Sequence, residues 1–318
     1  MVSPQLGPST VVTSHQPTNA EDELHKKLNE AVRQRDFQYK LVFVVTMSFE
    51  TDDTDAHADS KAFSKAMKEM FNLPDANILE VVFPKDRDAD SFWALHILAE
   101  IEQVKESCIG RKLLLLHFAG HGALDSSNQL LLQGNSTRFI QELPWDLVKM
   151  FLFNPYRVEH KGVLDVACIL DCCYSGAFVT PNAPSDKIVE ILAAADARSR
   201  TTVRKTKHIE ATFTQRFIFE MRSMVANEDK APITFPEILK RLQYRPRQPS
   251  KPSPVYSMIC GDVPILLPVT SLQLPTVPHA STGPSNPLVI DSWRPQEHSV
   301  PLLSLMIQPE RWSDGYIN

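Results

Sequence analysis

The chain has 318 residues, 43% hydrophobic and 22% charged, with a formal net charge of −5. That is enough apolar material for one buried core of about 200 to 250 residues with polar ends, and the negative balance gives no electrostatic case for nucleic acid. No apolar run approaches the ~20 residues that cross a bilayer, and no basic–apolar–small-residue leader is visible. A cytoplasmic protein without membrane or nucleic-acid partners is therefore expected, its oligomeric state left open. The five cysteines, at 108, 168, 172, 173 and 260, are odd in number and irregularly spaced, which speaks against a disulfide framework and for a reducing compartment.

Residues 1–37 read as an N-terminal extension: a Ser/Thr/Pro-rich start without period, expected to be disordered, then a charged helix near 20–35. A domain is expected over 38–268. It opens with an apolar, β-branched strand from Leu41 to Thr46. Phe49 to Asp59 reads as an acidic loop with Glu50, Asp52, Asp53, Asp55 and Asp59. Ala62, Phe63, Ala66, Met67, Met70 and Phe71 recur at helical spacing, a helix of about 12 residues. Ile78 to Phe83 is a second strand, and Ser91 to Lys105 a second helix with Trp93, Ile97, Ile101 and Val104 on one stripe. Leu113 to Phe118 is a third strand, with Ala119-Gly-His-Gly122 as the turn at its end. Leu130 to Leu132 reads as a small strand near the surface and Trp145 to Phe153 as a short helix.

Val163-Leu164 and Val166 to Leu170 make an apolar run suited to a strand buried on both faces; it breaks sharply into Asp171-Cys-Cys-Tyr-Ser-Gly176. Ile188 to Ala194 is a further strand, 198–207 a basic loop, and two helices follow, around Phe213 to Val225 and over Phe235 to Tyr244. Val255 to Ile259 and Val263 to Leu267 read as late strands, and 269–318 as a Pro/Ser-rich tail. Strands alternating with helices imply an α/β fold, a mostly parallel sheet of about six strands with helices on both faces. Ligand sites in such sheets lie beyond the carboxyl ends of the strands. His121 and the stretch from Asp171 to Ser175 both fall there, so two segments distant in sequence converge.

The pair His117-Phe-Ala-Gly-His-Gly122 and Asp171-Cys-Cys-Tyr-Ser-Gly176 resembles the motifs of the caspase-like cysteine peptidases (peptidase C14), nearest to metacaspases and fungal caspase-domain proteins. Their motifs run H-x-S/A-G-H-G and D-x-C-H-S-G. The resemblance covers roughly 38–268 and implies a caspase-like three-layer sandwich and a cysteine endopeptidase acting on protein or peptide substrates. It makes His121 the base and Cys173, not Cys172, the nucleophile. The separation of 52 positions from His121 to Cys173 agrees with a known protease arrangement. Tyr174 departs from the pattern, standing where metacaspases carry histidine.

The chemistry needs these residue types. A free thiol has a pKa of about 8.5, so a neighbouring base must help it react near neutrality. His121 takes the thiol proton and returns it to the leaving amine. Gly122 lets backbone come close, and the resemblance makes the Gly122 and Cys173 amides the oxyanion donors. It also implies that Asp59 and Asp171 shape a pocket for Arg or Lys before the cut, although a helix cap for Asp59 and a structural hydrogen bond for Asp171 are the plain alternatives. Cys172 and His117 read as core residues. Cys168, Cys172 and Cys173 lack the paired spacing of a zinc site, so no metal is expected. Ala123-Leu-Asp-Ser-Ser-Asn-Gln-Leu130 holds one carboxylate, too few for calcium, so no cofactor is expected. The connection from Ala177 to Lys187 is short, and the chain is expected to work uncut. The rival reading is a caspase-like interaction or regulatory module with weak catalysis.

Overall fold

The computed structural model describes residues 39–135, 141–153, 161–177, 185–195, 211–226, 233–244 and 253–268. The N-terminal extension, the basic loop at 198–207, the tail beyond 268 and most of the connection between Ala177 and Lys187 lie outside the described residues.

Six strands form the main sheet: β1 (Leu41–Phe49), β2 (Ile78–Phe83), β3 (Lys112–Ala119), β7 (Leu164–Asp171), β8 (Val189–Ala193) and β9 (Val255–Cys260). Their order is β2-β1-β3-β7-β8-β9, parallel except for the antiparallel edge strand β9. All nine residues of β1 and all eight of β3 are buried, which is why these strands read as unbroken apolar runs: side chains alternate between two faces and both faces are covered. Helices α1 (Ala56–Phe71), α4 (Phe213–Ala226) and α5 (Phe235–Tyr244) pack with Val42, Val44, Leu113, Leu115 and Ile169 on one face. On the other face lie α2, running as Ala89–Phe92, a π segment Trp93–Ile97 and Leu98–Ser107, and α3 (Trp145–Leu152), against Phe43, Val45, Leu114, Leu116 and Leu170. The result is the three-layer α/β arrangement expected. No helix among the described residues is long and apolar enough to cross a membrane.

Several sequence expectations are corrected. α1 is 16 residues long, not about 12, and begins at Ala56. The Asp52 carboxylate accepts from the Ala56 amide at 3.1 Å, which starts the helix early and puts Asp59 inside it rather than in a loop. His121 does not lie in a turn. It opens β4 (His121–Leu124), which pairs with β5 (Leu130–Gln133) and, through it, β6 (Glu142–Pro144) in a small antiparallel sheet. β5 is not near the surface, since it is the middle strand and Leu132 is fully buried. Val263 to Leu267 is not a strand. Its alternate residues Val263, Ile265 and Leu267 are buried, but its amides go to single partners rather than a ladder, Ile265 to the Glu190 carboxylate at 3.0 Å and Leu267 to the Ile233 carbonyl at 2.9 Å.

The lower half of the sheet holds two buried acids. Asp165 is bound by Arg111 at 2.5 and 2.8 Å, by the Tyr39 hydroxyl at 2.9 Å and by the Ile188 amide at 2.8 Å. Glu190, fully buried, accepts from Tyr256 and the Ile265 amide on one oxygen, at 3.0 Å each. Its other oxygen has no hydrogen-bond partner among the described residues. Burial pushes its pKa up to about 8, so it folds as the neutral acid. A raised pKa means that the stability it contributes is full below the ordinary carboxyl range and is lost as pH rises through about 8. Between pH ~4.5 and ~8 the loss runs at up to about 1.4 kcal/mol per pH unit. Glu190→Gln keeps the accepting oxygen and removes the proton, so it is expected to flatten that decline. Urea denaturation of both proteins across this range checks it, and equal slopes contradict it.

Candidate active site

β3 and β7 are neighbours in parallel register, Ala119 opposite Asp171, so they end together. The Gly120 amide donates to the Asp171 carbonyl at 3.2 Å, tying the two exits. Gly120 has φ +149°, a conformation open to glycine, and there the chain swings out of the main sheet to start β4 at His121. Gly122 then packs directly on the other exit. A Cβ at Gly122 would overlap the carbonyl oxygen of Cys173 and lie 3.2 Å from the Cys172 sulfur. The structure thus brings His121, Gly122 and Cys173 to one end of the sheet, from segments about fifty residues apart.

Past Asp171 the chain makes a tight turn, closed by the Ala177 amide on the Tyr174 carbonyl at 2.9 Å. Tyr174 sits at φ +56°, in the left-handed region, which costs a side-chain-bearing residue roughly 1–2 kcal/mol. Strain of this kind persists only where neighbours hold it. Here Ser175, fully buried, is anchored by the Ala195 amide at 3.3 Å. The two cysteines differ. Cys172 is fully buried in the core beneath α2 and α3, and burial pushes its thiol well above the ordinary range. Cys173 is also buried but keeps 8% exposure.

His121 is also 8% exposed, and its Nε2 lies 2.5 Å from Oδ1 of Asp53. Sequence reasoning placed Asp53 in an acidic loop and gave it no task. The available signal was position: the loop follows β1, the strand next to β3, at the same carboxyl edge.

Asp171 accepts from both the amide and the hydroxyl of Thr214, at 2.9 and 2.8 Å. Both bonds fall on Oδ2. Asp171 keeps some solvent exposure, yet protein atoms crowd its carboxyl and desolvation pushes its pKa up to about 6. Asp59 adds to that rise, while the Thr214 bonds and Arg216 oppose it. Asp59 is buried and accepts from Gln215 Nε2 at 3.1 Å. It is not the helix cap, a position Asp55 holds. The two carboxylates meet the first turn of α4, whose exposed amides favour negative charge. His117, fully buried, stacks on Phe63 at 4.3 Å and bonds Thr214 at 3.0 Å. Burial drops its pKa to about 3, so it is a neutral core histidine. Among the described residues no cluster of three His, Cys, Asp or Glu could hold a metal ion.

No family model and no curated protein matches the chain. Among solved structures it is similar to a protein from Geobacter sulfurreducens, at 11% identity and a TM-score of 0.46, over 70% of this chain and 94% of that one. It is also similar to caspase-1 from Spodoptera frugiperda, at 12% identity and a TM-score of 0.44, over 72% and 92%. At such distances the chemistry has to be read from the residues themselves.

Proposed function

We propose that the chain is a cysteine endopeptidase of caspase type in which Cys173 and His121 form the dyad. The observation that carries this reading is the packing of Gly122, next to His121, on the Cys173 carbonyl at the joint exit of β3 and β7. His121 takes the Cys173 proton and the thiolate adds to the scissile carbonyl carbon. The amides of Gly122 and Cys173 hold the oxyanion. As the tetrahedral intermediate collapses, the C–N bond breaks and His121 protonates the leaving amine. Water, deprotonated by His121, then hydrolyses the thioester and frees the thiol. A second reading, an interaction module with weak catalysis, is favoured by the small exposure of Cys173, 8%. A peptide-library cleavage assay on the full chain separates the two.

Cleavage is expected after Arg or Lys. Asp171 and Asp59 place two carboxyls together, and a guanidinium can bond both through its planar fork. The groups facing Asp171 are Asp59, Arg216 and Thr214. With a pKa of about 6, Asp171 is charged above that pH and neutral below it. The ratio of kcat/KM for an Arg peptide to that for a matched norleucine peptide is therefore expected to fall about tenfold from pH 7 to pH 5. Taking the ratio cancels pH effects common to both peptides. Asp171→Asn is expected to flatten it. A flat ratio in the unmodified chain, or faster cleavage after Asp, removes the acidic pocket.

A further inference from the structure

We propose that Asp53 is a positioning residue that holds His121 in a single tautomer, with the proton on Nε2, so that Nδ1 is the atom that exchanges protons with the thiol. The role in catalysis rests on the peptidase reading; the tautomer does not.

An ionised carboxylate only accepts hydrogen bonds. At 2.5 Å from Asp53 Oδ1, Nε2 of a neutral His121 must therefore carry its hydrogen there. A neutral imidazole has one N–H, so the lone pair resides on Nδ1. Asp53 can impose this only if its own place is fixed, and the surrounding loop is tied down at several points. The neighbouring Asp52 carboxylate accepts from the Thr54 amide at 2.8 Å, the Thr54 hydroxyl at 2.8 Å and the Ala56 amide at 3.1 Å. The Asp52 amide donates to the Phe49 carbonyl at 3.1 Å, and the Glu50 amide to Phe83 at 3.0 Å.

The loop is also packed on the strands that carry the histidine. A Cβ on Gly134 would overlap the Thr51 hydroxyl, and one on Gly120 would come within 3.4 Å of Asp52 Oδ2. Gln133, which precedes Gly134, is the register partner of His121 in the β4–β5 ladder. Loop, ladder and histidine are thus one packed unit, and the carboxylate reaches His121 from a segment 68 residues earlier. In mechanism such a carboxylate selects the tautomer and stabilises the imidazolium that forms when the thiol ionises, without taking the proton itself.

The test is 15N NMR of the full chain labelled at histidine, at a pH raised until the ring signals no longer change with pH, with the His121 resonances identified by their loss in His121→Gln. The expected result is a protonated-type signal for Nε2 and an unprotonated-type signal for Nδ1. In Asp53→Asn the amide can offer either its oxygen or its N–H to the ring, so the tautomers are expected to mix. Turnover in that variant is expected to fall about 10²-fold in kcat, with KM within about twofold, because only the step that charges the imidazole is affected. The fall is set below that of a wholly buried carboxylate because the Asp53 side chain is 40% exposed. A proton on Nδ1, or a tautomer mixture in the unmodified chain, overturns the proposal whatever the variants do. The Nε2–H tautomer in a chain without turnover leaves Asp53 placed and sinks the peptidase reading instead.

Discussion

Replacing Cys173 with alanine is expected to lower peptide turnover by at least ~10³-fold, while Cys172→Ala leaves it within a few-fold. The two thiols are chain neighbours, so composition cannot tell them apart; their surroundings do. Cys172 is enclosed among core side chains, and ionising it there means burying a charge beside Asp171, a cost that the Ser175 hydroxyl offsets only in part. Its loss to alanine removes packing, at about 1 kcal/mol or more, and moves the melting point more than the rate. Cys173 keeps 8% exposure, and the proposed function requires its thiol to meet the substrate carbonyl. His121→Ala is expected to match Cys173→Ala, and the double variant to be no worse than either, because parts of one catalytic unit are not additive. Turnover retained in Cys173→Ala and lost in Cys172→Ala reverses the assignment.

Gly122→Ala is the second large effect expected, at about 10²-fold in kcat together with a lowered melting point. Space, not backbone conformation, is the reason. The added methyl would overlap the Cys173 carbonyl oxygen and crowd its carbon and the Cys172 sulfur, both at 3.2 Å. The neighbours cannot step aside cheaply, because the turn is pinned through Ser175 to Ala195 and through Ala177 to Tyr174. Relief therefore pushes β4 away, and His121 moves with it. Overpacking of this kind costs about 1–3 kcal/mol. Gly162→Ala is the control: it lies at the opposite end of the sheet with φ +111°, against the Gly110 carbonyl. It is expected to lower stability but leave kcat of the folded protein unchanged. Equal kcat in Gly122→Ala and the parent contradicts the close packing of the two exits.

The framework was legible where the physics is local. β1, β3 and β7 are buried on both faces, so they appear as mainly apolar runs, β7 interrupted by Asp165, and α2 showed its stripe of Trp93, Ile97, Ile101 and Val104. The convergence of His121 with Cys173 followed from the rule that sites gather at strand ends. What failed depended on partners that no local pattern names. β4 and β6 have four and three residues, too short for a period, and Gly-His-Gly reads as a turn until a partner strand is known. Val263 to Leu267 alternates like a strand, but its amides are claimed by Glu190 and Ile233. The Asp53 contact with His121 spans 68 residues and that of Asp171 with Thr214 spans 43. No spacing rule announces either.

The most direct measurement is covalent. The full chain is treated with a peptide carrying Arg ahead of a thiol-reactive electrophile, and the modified residue is located by mass spectrometry of the digested protein. The expected result is one adduct per chain, on Cys173, abolished in Cys173→Ala, strongly slowed in His121→Ala and preserved in Cys172→Ala. No adduct on Cys173 in the folded chain, or labelling of Cys172 or Cys108 at the same rate, contradicts the assignment of this site as a cysteine peptidase centre.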